Sequence, residues 1–268
     1  MKERRIWPWI WLTIGGLYFV VPLIASFQFS LQLNRGAPNW GAYQNILTSP
    51  RFLESFTFSF RIALMTIAVS VALIVPTAYL VHFRFPGLRP LIEFCTLLPF
   101  VIPAVVLVFG LIRAYNRTFL TDGRAGLQVL LVGSYVILSF PYMYRAVDSG
   151  LRAIDVRALT EAAQSLGAGW FVTLGRVIAP NILVAVLGGS FITFAIVMGE
   201  FTIAFLLAQP AFGPYMNQLS SSRVYEPSAL AIISFALTWA AIAAVQLVGA
   251  RYSPGGRGER APIVTKQA

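Results

Sequence analysis

Asp155-Val-Arg-Ala-Leu-Thr-Glu-Ala-Ala-Gln-Ser-Leu-Gly-Ala-Gly-Trp-Phe-Val-Thr-Leu-Gly-Arg-Val-Ile-Ala-Pro180 is a polar interruption in a chain that is otherwise mostly apolar. Nearly everything around it suits lipid, whereas this stretch does not. It reads as two short amphipathic helices with a glycine break. Leu159, Ala162, Ala163 and Leu166 fall at i, i+3, i+4 and i+7 and make one apolar stripe. Asp155 is placed to cap the first helix, because its carboxylate can accept from free first-turn amides. Gly167 and Gly169 end it, glycine being the usual residue just past a helix C-terminus. The second helix carries Trp170, Leu174, Val177 and Ile178 on one side and is expected to stop at Pro180. A membrane protein that keeps such an element between apolar runs presents it to something.

The composition sets the surroundings of that stretch. The chain has 268 residues, 57% hydrophobic and 11% charged, against about 25% charged in a soluble domain. The net charge of +10 does not point to nucleic acid, because the basic residues lie in short segments between apolar runs. One cysteine, Cys95, excludes an internal disulfide and a cysteine metal cluster. One histidine, His82, leaves no histidine metal site or histidine-based triad to build. The basic start with Lys2, Arg4 and Arg5 resembles a signal peptide, but its apolar stretch exceeds an h-region of about 7–15 residues. It reads as a retained first span.

Six apolar runs reach the length of about twenty residues that crosses hydrocarbon. They cover roughly residues 7–27, 56–81, 91–112, 127–147, 182–207 and 229–250. The N-terminus, the turn with Arg84 and Arg89, the region 145–180 and the tail 251–268 hold thirteen of the twenty Lys and Arg residues. The positive-inside bias therefore predicts both termini and the opening stretch in the cytoplasm. The expected organisation is an all-α membrane protein of six transmembrane helices. A six-span transmembrane domain would cover 1–250, with its cytoplasmic loop at 148–180 between helices 4 and 5, followed by a disordered tail at 251–268. Pro99 and Pro103 should kink or break the third run, either as packing geometry or because a broken helix lines a path.

Catalytic chemistry is missing from the sequence. The only lysines are Lys2 and Lys266, so no phosphate-cradling loop can form. No His-Glu-x-x-His or Gly-x-Ser-x-Gly occurs. Glu200, in Met198-Gly-Glu-Phe-Thr202, is an acid inside an apolar run. Such a residue is either a functional site or one end of a structural hydrogen bond to a neighbouring helix. Neither internal repeats nor several intramembrane charges support an ion-coupled secondary transporter.

Glu161-Ala162-Ala163, three residues, Gly167, nine residues and Val177-Ile178-Ala179-Pro180 resemble the EAA loop of permease subunits in binding-protein-dependent ABC importers. The chain departs from that pattern mildly at Val177 and more at Ala179, where an apolar contact is lost. The resemblance implies that Glu161, Ala162, Ala163, Gly167 and Pro180 couple the chain to a cytoplasmic dimer of ATP-binding subunits. ATP and magnesium would then be used by that partner and not by this chain. It further implies a second permease subunit, distinct or identical, an extracytoplasmic solute-binding protein, and a path to which Glu200, Pro99 and Pro103 contribute. The segments Leu97–Ala104 and Gly199–Thr202 resemble the branch that handles polyamines, opines, phosphonates, ferric iron and thiamine, and within it the spermidine/putrescine type is preferred. This implies a polyamine cargo, with ferric iron, thiamine or phosphonate as alternatives.

Overall fold

In the computed structural model, residues 6–33 and 38–252 are described. Lys2, Arg4, Arg5, Arg35, Arg257, Arg260 and Lys266, which enter the charge bias, lie outside them, as does the expected tail from residue 253 onward. Among the described residues every regular element is helical. They run α1 (Ile6–Ser30), α2 (Gly41–Leu47), α3 (Pro50–Phe83), α4 (Arg89–Val101), α5 (Ala104–Ala114) and α6 (Arg124–Arg152). After these come α7 (Val156–Ser165), α8 (Trp170–Val172), a π-helical segment Thr173–Ile178, α9 (Ala179–Asn181), α10 (Leu183–Gly199), α11 (Thr202–Leu206), α12 (Phe212–Ser222) and α13 (Glu226–Tyr252).

Among the described residues, three helices are long and apolar enough to cross a membrane: Trp7–Ser30, Pro50–Phe83 and Arg124–Arg152. Two bent pairs qualify if each pair is taken as one span. The third apolar run, in which Pro99 and Pro103 are expected to make a kink or break, is one of them. Its two helices meet at 101°. The cause is Pro103, whose ring forces the preceding Ile102 into extended backbone (φ −90°, ψ 113°). Pro99 lies inside α4 without ending it. Pro22, Pro76 and Pro141 likewise sit within continuous helices.

The fifth run differs from expectation. α10 ends at Gly199, Glu200 is extended (φ −77°, ψ 131°), and the chain turns again into α11. The loop expected around 209–227 contains α12, a helix hidden by its Pro, Gly and Ser content.

α3, α6 and α10 pack together as the centre of the molecule, while α1 lies against α13. α6 and α10 approach closely because two glycines allow it. A Cβ on Gly150 would stand 2.6 Å from the Ala185 Cβ, and one on Gly189 2.8 Å from the Met143 Sδ. Small residues at such crossings let helix backbones approach and pack without a hydrophobic drive. Of three apolar clusters among the described residues, two hold residues of α3, α6 and the segments that pack on them, and the third joins Ile46, Phe52, Phe212 and Leu230. Of the first two, one joins Phe58, Ile62, Leu131, Tyr135 and Ile203. The other joins Ile74, Tyr79, Val147, Leu151, Val156, Ile178 and Ile182, which brings the 155–182 segment into the core at one end.

Candidate functional site

The polar stretch folds as its residues dictate. The Asp155 carboxylate accepts from the Ala158 amide at 3.0 Å and starts α7. At the other end the Gly167 amide donates to Gln164 O at 2.9 Å and the Ala168 amide to Ala163 O at 3.0 Å. Those two bonds form the Schellman arrangement, which needs a left-handed residue. Gly167 supplies it with φ +81°.

α7 keys onto α3 through a buried hydroxyl pair. Thr160 Oγ1 donates to Val156 O at 2.6 Å, so the Tyr79 hydroxyl donates to Thr160 across 3.2 Å. Val156, Thr160 and Ala163 form the buried face. The expected stripe is therefore split. Leu159 and Ala163 face inward, whereas Ala162 is exposed and Leu166 is 88% exposed. Glu161 also points outward and pairs with Arg157 at 2.8 Å. That hydrogen bond, followed by the charge of Glu161, holds the Arg157 guanidinium above its usual pKa.

The second helix of the stretch is partly π-helical, over Thr173–Ile178. Leu174 and Ile178 are buried and Trp170 packs on the same cluster, as their spacing predicts. Phe171 is 82% exposed. The helix does not stop at Pro180. The proline occupies the first turn of α9, where its missing N–H is no loss. The turn comes instead at Ile182, after which α10 departs at 79°. The Asn181 side chain donates to Val177 O at 2.7 Å near that corner.

A charged cluster absent from the sequence reading ties three helices together at the same end. Asp148 Oδ1 lies 2.7 Å from His82 Nε2, and its Oδ2 accepts from Arg152 Nε at 2.8 Å. Arg89 reaches Asp148 at 3.6 Å and Glu93 at 3.1 Å. The i,i+4 pair of Asp148 and Arg152 is visible in the sequence, but its meeting with His82 and Arg89 depends on tertiary packing.

Glu200 stands apart from that end. Its carboxylate accepts from the Tyr135 hydroxyl at 3.0 Å and from the Ile203 and Ala204 amides at 2.8 and 3.2 Å. It thus caps α11 and links it to α6. Gly213 packs on the same corner, where a Cβ would lie 2.3 Å from Glu200 O. Pro99 lies within α4 and Pro103 at the break between α4 and α5. Among the described residues no group of three or more His, Cys, Asp or Glu side chains is placed to hold a metal ion.

The model of the family described as "Binding-protein-dependent transport system inner membrane component" matches residues 65–253, a span that contains the whole of the 155–180 stretch. The chain is 30% identical over 266 residues to the molybdenum transport system permease protein ModB of Mycobacterium tuberculosis, covering 91% of this chain and 94% of that one. It is 24% identical over 258 residues to the spermidine/putrescine transport system permease protein PotC of Escherichia coli (strain K12), covering 90% and 93%. A chain in the crystal structure of a bacterial alginate ABC transporter, in complex with a periplasmic protein bound to alginate pentasaccharide, superimposes with a TM-score of 0.72. It covers 95% of this chain and 98% of its own at 15% identity, a likeness of fold alone.

Proposed function

The chain belongs to the family of inner membrane components of binding-protein-dependent transport systems, and we propose that it lines part of the path of an ATP-driven importer and is worked through α7. A separate ATPase dimer supplies the energy, a second permease subunit completes the pore, and an extracytoplasmic binding protein delivers the cargo. Six crossings with both termini in the cytoplasm are the topology this role needs.

The observation that carries the reading is the two-sidedness of α7. Its inner face is fastened to α3 by Tyr79 and Thr160. Its outer face leaves Glu161, Ala162, Leu166 and Gly167 open. A short helix with a small-residue and leucine surface fits an apolar groove, and Glu161 offers a charge to its rim. Motion of the ATPase cleft would shift α7 as a rigid body. Ile178 and Ile182 share a buried cluster with α3 and α6, so the shift would carry into α10 and alternate access to the path. Glu161→Lys and Leu166→Asp should abolish uptake and weaken copurification of the ATPase. Normal copurification with normal uptake in both variants would refute the assignment.

For the cargo, a polyamine needs an uncommitted carboxylate, and Glu200 is engaged by Tyr135 and two amides. A small oxyanion is the reading we favour. Arg61 lies within α3, and among the described residues its partners are neutral: Gln128 Oε1 at 3.3 Å and the Phe58 ring. A guanidinium without a carboxylate inside a spanning helix is costly unless it serves an anion or water, and the likeness to ModB agrees. Calorimetry of the cognate binding protein with molybdate, sulfate, spermidine and putrescine decides between the two classes.

A further inference from the structure

Residues of α3, α10, α12 and α13 enclose an apolar cavity of about 300 Å³. One wall is a row of rings that fix one another. Phe194 stands edge-on to Phe60 at 5.7 Å, Phe60 stacks with Phe56 at 6.3 Å, and Phe56 stands edge-on to Phe212 at 6.1 Å. Met198 and Met216 line it as well, and their unbranched thioethers adapt to an irregular occupant. The hydroxyls in the lining are spent on their own helix: Ser234 donates to Leu230 O at 2.8 Å and Thr238 to Ser234 O at 2.9 Å. Phe212 is 5% exposed and lies innermost, whereas Phe60 and Leu237 are 41% and 43% exposed and stand at the mouth. On α13 the mouth runs on into Phe235 and Trp239, both exposed rings of an apolar helix. Counted from the first residues of α3 and α13, Phe56, Phe60, Ser234 and Thr238 lie about 9–18 Å along their helices, at 1.5 Å per residue. The cavity therefore opens from within two apolar helices and not from their ends.

We propose that this cavity holds an acyl chain of a bilayer glycerophospholipid. Void, water and hydrocarbon are the fillings open to it. A void forfeits the dispersion contacts of four rings and two thioethers. A buried water needs about two to four polar partners, and no side chain of the lining keeps a free donor. A charged solute finds no group here to answer its charge, so the site stands apart from the cargo and from its path. The membrane that surrounds α3 and α13 supplies hydrocarbon at the depth of the mouth. A chain that enters from the leaflet leaves one apolar medium for another, so packing on the rings, and not the hydrophobic effect, retains it. Its inner end would rest on α12 beside Gly213.

The test uses the assembled transporter with its ATPase, in nanodiscs that include a phosphatidylethanolamine with a diazirine in its acyl chain. Mass spectrometry maps the adducts after photolysis. Phe212 is the informative position, because lipid of the open bilayer reaches Trp239 at 62% exposure but not a ring at 5%. Adducts on Phe212 or on Met216 beside it are expected. Ala195→Phe and Thr238→Phe, from two helices of the lining, should each lower those adducts roughly tenfold, since a ring there closes a close-packed passage. Labelling of Trp239 should not change. Both substituted positions are exposed, and copurification of the ATPase checks that each variant is folded. Loss of the inner adducts in either folded variant supports the site. Their absence from the wild type, or equal yield in all three proteins, overturns it. A photoreactive amino acid at position 237 that cross-links to the second permease subunit would also overturn it, because protein would then fill the mouth.

Discussion

At the residue scale, two positions are held by conformation and charge and not by apolar contact. Gly167 has φ +81°, and a Cβ there would meet nothing within 4 Å. Space is therefore not the constraint; the left-handed backbone is. Gly167→Val should cost about 1–2 kcal/mol from backbone strain, while Gly167→Asn, which tolerates that region, should cost less. Uptake assays should rank glycine above asparagine above valine. If valine matched glycine, the turn would not govern coupling. Asp148 is the second position. It is 8% exposed and satisfies His82 and Arg152 directly. Asp148→Asn leaves Arg152 short of a charge partner and takes the carboxylate from His82, and should cost about 1–3 kcal/mol, toward the lower end because the Arg152 side chain is 53% exposed and screened. A thermal shift assay of the purified complex checks it, and an unchanged melting point would show the cluster to be energetically idle.

At the element scale, α7 is set by its two ends, and both ends were legible in the sequence because caps are local chemistry. Asp155 accepts within its own first turn, and Gly167 turns the chain on its own backbone. Asp155→Ala should therefore destabilise α7 by about 1 kcal/mol, read as faster hydrogen exchange confined to residues 156–166; unaltered exchange there would mean that packing on α3 alone holds the helix. The face of α7 was less legible. Periodicity placed Leu159, Ala162, Ala163 and Leu166 on one stripe, but it carries no information on which part of the stripe the chain itself covers. The break at Pro103 was legible in position and not in size, because proline restrains Ile102 while packing of α5 sets the angle. α12 escaped notice because Phe212-Gly-Pro-Tyr and its serines have the composition of a loop. Its placement depends on a close approach that only glycine permits. Gly213→Ala would drive a Cβ to 2.3 Å from the Glu200 carbonyl, an overpacking that costs about 1–3 kcal/mol. The expected result is a lower melting point together with lost uptake, and an unperturbed protein would mean that α12 moves freely against the Glu200 corner.

At the scale of the whole molecule, the class of the fold was legible from composition, because a chain so poor in charge has nowhere but lipid to put its apolar surface. The crossings were harder to read. Hydropathy cannot distinguish a straight span from two helices at 101°, and the angle decides whether α4 and α5 cross together or turn back. The coupling role requires that α7 and α12 lie on opposite sides of the membrane. α10 has 17 residues and a length of about 26 Å at 1.5 Å per residue. That is just short of a hydrocarbon core of about 30 Å, and α11 beyond the Glu200 corner extends the run. One crossing between the two sites follows. It is testable with single cysteines on a Cys95→Ser background: Ser165→Cys on α7 and Ser221→Cys on α12, both at exposed positions. An impermeant maleimide should label the α12 cysteine in intact cells and the α7 cysteine only after the membrane is opened. Labelling of both from the same side would turn α10 and α11 into a re-entrant loop. It would also remove the lever through which α7 is argued to move the path.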